Sequence, residues 1–169
     1  PRRLVIPLTV VVASFFFILF ASNGLMTFAP VFVSEVYGYS IAVFGIEIEA
    51  ASVASFYFGA MLITAAVVQL LVGGLSDRYD HRTVVAVMLS IAALATASLA
   101  LFTLGPGMLF VVFVILGATL LGLNPARDAL LSDVAPAEYE GRTFGFVWTF
   151  ALLGTSVYPV IIGYVADTF

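Results

Sequence analysis

Acidic and basic side chains alternate in one short segment of this sequence, residues 73–82. Asp77 and Arg78 stand side by side, and Asp80 and Arg82 follow within the next four positions. A carboxylate beside a guanidinium at a helix end can form charge-assisted hydrogen bonds to backbone groups and to partner charges. The chemistry that we expect of this segment is therefore reversible ionic contact that holds one conformation.

Groups suited to covalent catalysis are scarce elsewhere. The sequence has no cysteine, and its single histidine, His81, lies within the same charged segment. An enzyme within a membrane would need a positioned acid, base, nucleophile or metal. We therefore expect no enzyme activity, no metal site and no cofactor.

The composition predicts an integral membrane protein. Charged residues make up 9% of the 169 residues and apolar ones 63%, whereas soluble domains have about 25% charged residues. The run from Leu4 to Ser34 carries no charge and exceeds the roughly 20 residues that cross a bilayer core. With a net charge of −4 the chain has no basic surface for nucleic acid, so its expected surroundings are the lipid bilayer.

Glycine, proline and charged clusters divide the apolar sequence into spans. Backbone groups in lipid must bond within their own segment, and the runs lack the alternation of barrel strands, so the predicted fold class is all-α and polytopic. The Gly105–Gly107 link between the third and fourth spans predicts a tight helical hairpin. The five predicted spans are residues 4–34, 50–76, 83–104, 108–126 and 141–166.

The basic residues, all arginines, indicate an orientation. They fall before the first span, between the second and third, and between the fourth and fifth. The positive-inside rule then places the N-terminus and the loops 77–82 and 127–142 in the cytoplasm, which fits a plasma (inner) membrane protein. The six are Arg2, Arg3, Arg78, Arg82, Arg127 and Arg142.

The charged segment resembles the signature loop of the major facilitator superfamily, which joins the second and third helices of each transporter half. Gly73, Asp77, Arg78 and Arg82 match the loop, while Asp80 replaces its second glycine. The resemblance implies twelve helices in two six-helix halves, so this chain is expected to be part of a longer polypeptide whose other half is its partner.

By the same resemblance, Asp77 meets a helix start in the other half, where the helix dipole favours negative charge, and latches the cytoplasmic side. Arg78 and Arg82 would face acidic side chains of the 127–142 loop, with Arg142 as a further counter-charge. The alternative is that these are solvated charges that only fix topology, which is our interpretation of Arg127 and Glu140.

Two features bear on which half is present. The fourth span lacks the arginine usual in first halves, and the loop has lost its second glycine, so we assign helices 7 to 11 of the C-terminal half. A third feature points the other way, because Gly145, Gly154, Pro159 and Gly163 match the spacing of a glycine–proline motif of the fifth helix of exporters. Tyr158 and Ile162 replace two of its glycines, and looser versions occur in the eleventh helix of many members. The alternative is simple helix packing around glycines and a proline kink.

Polar and aromatic side chains within the spans are the candidates to line a substrate cavity. Asn23 and Thr27 are one helical turn apart and share a face. Amides can instead bond a neighbouring helix, and aromatic rings can serve as packing or interface anchors. The full set of candidates is Asn23, Thr27, Tyr57, Gln69, Asn124, Trp148 and Tyr158.

No charged residue lies deep within any predicted span, so the sequence offers no obvious proton-coupling site and favours a neutral or lipophilic cargo. The function that we predict is secondary active or facilitative transport of a small solute by alternating access, as a permease or antiporter acting in efflux. A membrane sensor or scaffold that keeps the fold without moving cargo is the alternative.

Overall fold

A computed structural model describes residues 2–43, 46–135 and 137–168 of the chain. It is helical almost throughout, as the apolar sequence predicts. The α-helices within the described residues are α1 (Arg2–Val31), α2 (Ala50–Ser76), α3 (His81–Leu101), α4 (Pro106–Leu116), α5 (Asn124–Val134) and α6 (Glu140–Thr168). Two π-helical segments, Phe32–Tyr37 and Gly117–Leu121, continue α1 and α4, and a short 3₁₀ turn, Ala137–Tyr139, precedes α6.

Five helical stretches in the described part of the chain are long and apolar enough to cross a membrane. This confirms the all-α, polytopic fold class. Their lengths, 21 to 29 residues, meet the requirement of about 20 residues for a bilayer core. They are Thr9–Tyr37, Ala50–Ser76, His81–Leu101, Pro106–Val134 and Glu140–Ile161.

The fourth stretch extends beyond its predicted end. The sequence placed the boundary at Ala126, but α5 carries the helix on to Val134. Pro125 does not stop the helix because it occupies the first turn, where no intrahelical N–H bond is lost. Residues 127–134 of the predicted loop are therefore helical.

The link between α3 and α4 begins earlier than predicted and spans residues 102–105 instead of 105–107. α3 ends at Leu101 and α4 begins at Pro106, with Gly105 as the residue before the helix. Proline fits the first helical position because its fixed backbone angle suits the turn and its missing donor is not needed there.

A small β-hairpin lies between α1 and α2, where the sequence predicted only a connection. β1 (Ile41–Val43) pairs antiparallel with β2 (Ile46–Ile48), and Ile41 faces Ile48 in the register. Valine and isoleucine favour strands, which accounts for the pairing. Before it, Gly38 adopts φ 57°, the left-handed conformation that glycine allows at a helix end.

The described chain forms two compact units. The first comprises residues 25–126, and its core is built around Met61, Leu109, Phe113 and Leu116, all almost fully buried. The second π-helical segment lies close to α2 there, since a Cβ at Gly117 would overlap the Met61 carbonyl group.

The second unit comprises the residues up to 24 together with those from 127 onward. Its core contains Phe15 and Leu19 of α1, Leu131 of α5, and Val147 and Ala151 of α6. Three helices therefore meet around Phe15.

Candidate functional site

An apolar cavity of about 480 Å³ opens between the start of α2 and the start of α4 in the unit of residues 25–126. Small-molecule sites typically enclose about 300–1,000 Å³ and are mainly apolar and aromatic. The cavity is therefore large enough for a small lipophilic molecule. Its lining residues are Ile48, Ser52, Val53, Phe56, Tyr57, Pro106, Gly107 and Phe110.

Tyr57, one of the predicted cavity residues, lies in this wall. Its ring centroid is 5.4 Å from that of Phe110, and Phe110 stacks on Phe56 at 5.6 Å. The Tyr57 hydroxyl donates a hydrogen bond of 2.8 Å to the Pro106 carbonyl oxygen. The hydroxyl thus bonds α2 to the start of α4, and the aromatic ring of Tyr57 lines the cavity.

Gln69 acts between helices of the same unit. Its Nε2 donates a hydrogen bond of 3.0 Å to the carbonyl oxygen of Leu121, the last residue of the second π-helical segment. A π-helical turn changes the local backbone hydrogen bonding, and Gln69 supplies a donor at its end. Asn124, the first residue of α5, is partly exposed.

Asn23 and Thr27 both lie in α1, as predicted. The Asn23 Nδ2 donates a hydrogen bond of 2.8 Å to the Leu19 carbonyl oxygen one turn back, and Asn23 is partly buried. Thr27 is exposed.

Arg127 is the largest departure from the sequence interpretation. It is only 4% exposed, and its guanidinium carbon lies 4.3 Å from the ring centroid of Phe15 and 5.6 Å from that of Trp148. Its Nε and Nη2 donate to Asp128 Oδ1 at 3.0 and 2.8 Å. The interpretation of Arg127 as a solvated loop charge is therefore wrong, whereas Glu140 is exposed as expected.

Charged residues lie near the C-terminal end of the fourth helical stretch. Pro106–Val134 contains Arg127 and Asp128. Both lie beyond Ala126, the predicted end of the span, because a proline in the first turn of α5 permits the helix to continue.

Trp148 packs against Phe15, with ring centroids 5.5 Å apart in an edge-to-face arrangement, and remains 37% exposed. Trp148 therefore packs against α1 while part of its side chain stays on the protein surface. Tyr158 belongs to α6, but its side chain lies outside the described part of the structure.

The residues of the signature loop lie at the junction of α2 and α3. Asp77 follows the last residue of α2, and Asp77, Arg78 and Arg82 are exposed. Asp80 has a defined role: its carboxylate accepts hydrogen bonds from the Thr83 N–H at 3.1 Å and the Thr83 hydroxyl at 3.2 Å, which caps α3. Of the other gating candidates, Arg142 is exposed, and a Cβ at Gly73 would meet no described residue within 4 Å.

The four residues of the glycine–proline motif all lie in α6. A Cβ at Gly154 would overlap the Phe16 ring of α1, so Gly154 marks a close helix contact. Within the described residues, Gly145 and Gly163 have open space at the same position. Pro159 lies inside the helix.

In the part of the chain that the structure describes, no three His, Asp or Glu side chains group closely enough to hold a metal ion.

The comparisons with known proteins agree with the helical architecture. The family model of the Major Facilitator Superfamily matches residues 2–159, nearly the whole sequence. No curated protein and no solved structure gives a significant match. With five apolar helices and this match over most of its length, the chain belongs to the Major Facilitator Superfamily, a family of membrane transporters.

Proposed function

We propose that this protein moves a small lipophilic solute across the membrane by alternating access, as a secondary active or facilitative transporter. The observation that carries the proposal is the apolar cavity of about 480 Å³ beside Tyr57 and Phe110. Its size suits a small molecule, and its aromatic wall suits an apolar one.

The sequence favoured neutral cargo because it showed no charge within a span. The apolar lining of the cavity supports a lipophilic cargo. Buried Arg127 leaves the charge of that cargo open. Efflux as the direction, the C-terminal half as the assignment and the Asp77 latch remain parts of the proposal. The glycine–proline spacing supports efflux, and the form of the loop supports the C-terminal assignment and the latch.

The test uses the full-length protein in proteoliposomes with a panel of radiolabelled lipophilic compounds of about the cavity's size. We expect protein-dependent flux for at least one compound. Phe110→Ala should raise its KM about tenfold, because removing an aromatic wall loses at least about 1.4 kcal/mol of apolar contact. Tyr57→Phe should change KM less than about twofold, since the ring stays and the lost hydroxyl bonds the Pro106 carbonyl.

The control is Ile63→Ala, because Ile63 is 68% exposed on α2 and does not line the cavity. Its KM should match the wild type. Absence of protein-dependent flux for every compound would favour the sensor or scaffold alternative, and equal effects of Phe110→Ala and Ile63→Ala would remove the cavity from the mechanism.

A further inference from the structure

A buried arginine with an unused hydrogen-bonding edge lies in the second unit of the protein. Arg127 is 4% exposed, and its Nη1 is buried without a hydrogen-bond partner among the described residues. Leaving such a donor unmet is costly, because a buried polar group without a partner loses its hydration without replacement.

The geometry of the ion pair shows which edge remains. Asp128 Oδ1 accepts hydrogen bonds from Nε and Nη2, which occupies one side of the planar guanidinium. Nη1, on the other side, is buried and makes no hydrogen bond among the described residues. A guanidinium has five N–H donors arranged to match the two oxygens of a carboxylate on each side. The free edge is therefore shaped for a second oxyanion.

The surroundings of this edge are aromatic. The Phe15 ring lies 4.3 Å from the guanidinium carbon, and the Trp148 ring lies 5.6 Å from it and is 37% exposed. Cation–π contact holds the guanidinium in place, and the rings give a low-polarity environment that strengthens charged hydrogen bonds. Such a setting fits a carboxylate attached to an apolar body better than a small hydrated anion.

We propose that the Nη1 edge of Arg127 binds the carboxylate of a lipophilic organic acid, which is the transported solute. This inference rests on the proposed transport function. Nη1 is closed to solvent in the present conformation, so the acid reaches it when the cluster of Phe15, Arg127 and Trp148 opens during the transport cycle. Asp128 is the counter-ion that holds the guanidinium when no acid is bound.

The experiment measures equilibrium binding of radiolabelled hexanoate and hexanamide to the full-length protein at neutral pH. The two probes have the same chain length and differ in the anionic group. The wild type should prefer hexanoate. Arg127→Gln should weaken hexanoate binding at least about tenfold, equivalent to about 1.4 kcal/mol, and change hexanamide binding less than about twofold.

Asp128→Asn separates a binding role from a structural one. It removes the internal competitor for the guanidinium but leaves the free edge, so hexanoate should bind as tightly as in the wild type or more tightly. Glu138→Gln is the matched control, because it removes the same single charge from an exposed position and should leave both affinities unchanged. If Arg127→Gln does not fold, Arg127→Lys keeps the charge without the planar fork and should lose the preference for hexanoate.

Three outcomes would overturn the inference: no preference of the wild type for hexanoate, equal weakening of both probes by Arg127→Gln, or weakening of hexanoate by Asp128→Asn as large as that by Arg127→Gln. Each points to a purely structural arginine. If neutral compounds are still transported in that case, the proposed function stands without the acid site. If hexanoate binds as expected but no compound is transported, the transport function fails instead.

Discussion

At the scale of single residues, the same residue type does different work in different places. Gly117 and Gly59 both lie in apolar helical stretches, yet a Cβ would overlap the Met61 carbonyl at Gly117 and would meet nothing within 4 Å at Gly59 among the described residues. Likewise, Arg127 is buried against Phe15, whereas Arg142 is exposed. Neighbours on other helices determine these roles.

Gly117→Ala should destabilise the protein, and Gly59→Ala should not. The added methyl at Gly117 meets backbone, which cannot move aside as a flexible side chain can, so we expect a loss of about 1–3 kcal/mol in the free energy of unfolding. At Gly59 the same change should be neutral or stabilising by up to about 1 kcal/mol, because alanine favours the helix over glycine. Thermal unfolding in detergent measures both, and equal effects would mean that the close contact between α2 and the second π-helical segment does not form.

At the scale of elements, the junction of α2 and α3 combines two carboxylates with separate roles. Asp80 caps α3 through the N–H and hydroxyl of Thr83, while Asp77 is exposed after the last residue of α2. The replacement of the second signature glycine by aspartate thus adds a helix cap.

Asp80→Ala should lower the free energy of unfolding by about 1 kcal/mol, the usual effect of losing an N-cap, and Asp80→Asn should retain most of the stability. Asp77→Asn should leave stability unchanged and reduce transport in the full-length protein, because the latch that we propose needs the negative charge. Thermal unfolding and proteoliposome flux separate the two. If Asp80→Ala reduced transport and Asp77→Asn did not, the assignment of the latch to Asp77 would be wrong.

At the scale of the whole molecule, orientation in the membrane is open to direct measurement. The sequence has no cysteine, so single cysteines can be introduced without background labelling from these residues. Tyr79, Phe102 and Tyr139 are suitable positions, because they are 60%, 62% and 54% exposed.

With an impermeant maleimide, cysteines at positions 79 and 139 should react only after the membrane is permeabilised, and a cysteine at 102 should react on intact cells. The reason is that arginine-rich connections stay in the cytoplasm. Labelling of positions 79 and 139 from opposite sides would refute the five-span topology. Labelling of both positions on intact cells would mean that the chain has the opposite orientation in the membrane.

The fold class and most of the element pattern could be predicted from the sequence. α2 has the predicted bounds, 50–76, because charged residues flank an uninterrupted apolar run. The bounds of the fourth stretch and the hairpin β1–β2 could not be predicted. A proline breaks a helix in its interior but is tolerated in the first turn, and the sequence does not show which of these applies to Pro125. Strand pairing depends on the partner segment as well as on the strand itself.

What the sequence by itself determined is the membrane class, the five apolar helices and the family, because hydrocarbon thickness and backbone hydrogen bonding act on each segment separately. Tertiary structure alone decided that Gln69 bonds Leu121, that Tyr57 faces the apolar cavity and that Arg127 is buried on Phe15. These facts depend on which helix faces meet, and a helix that is apolar on every side does not specify the face that its neighbours will cover.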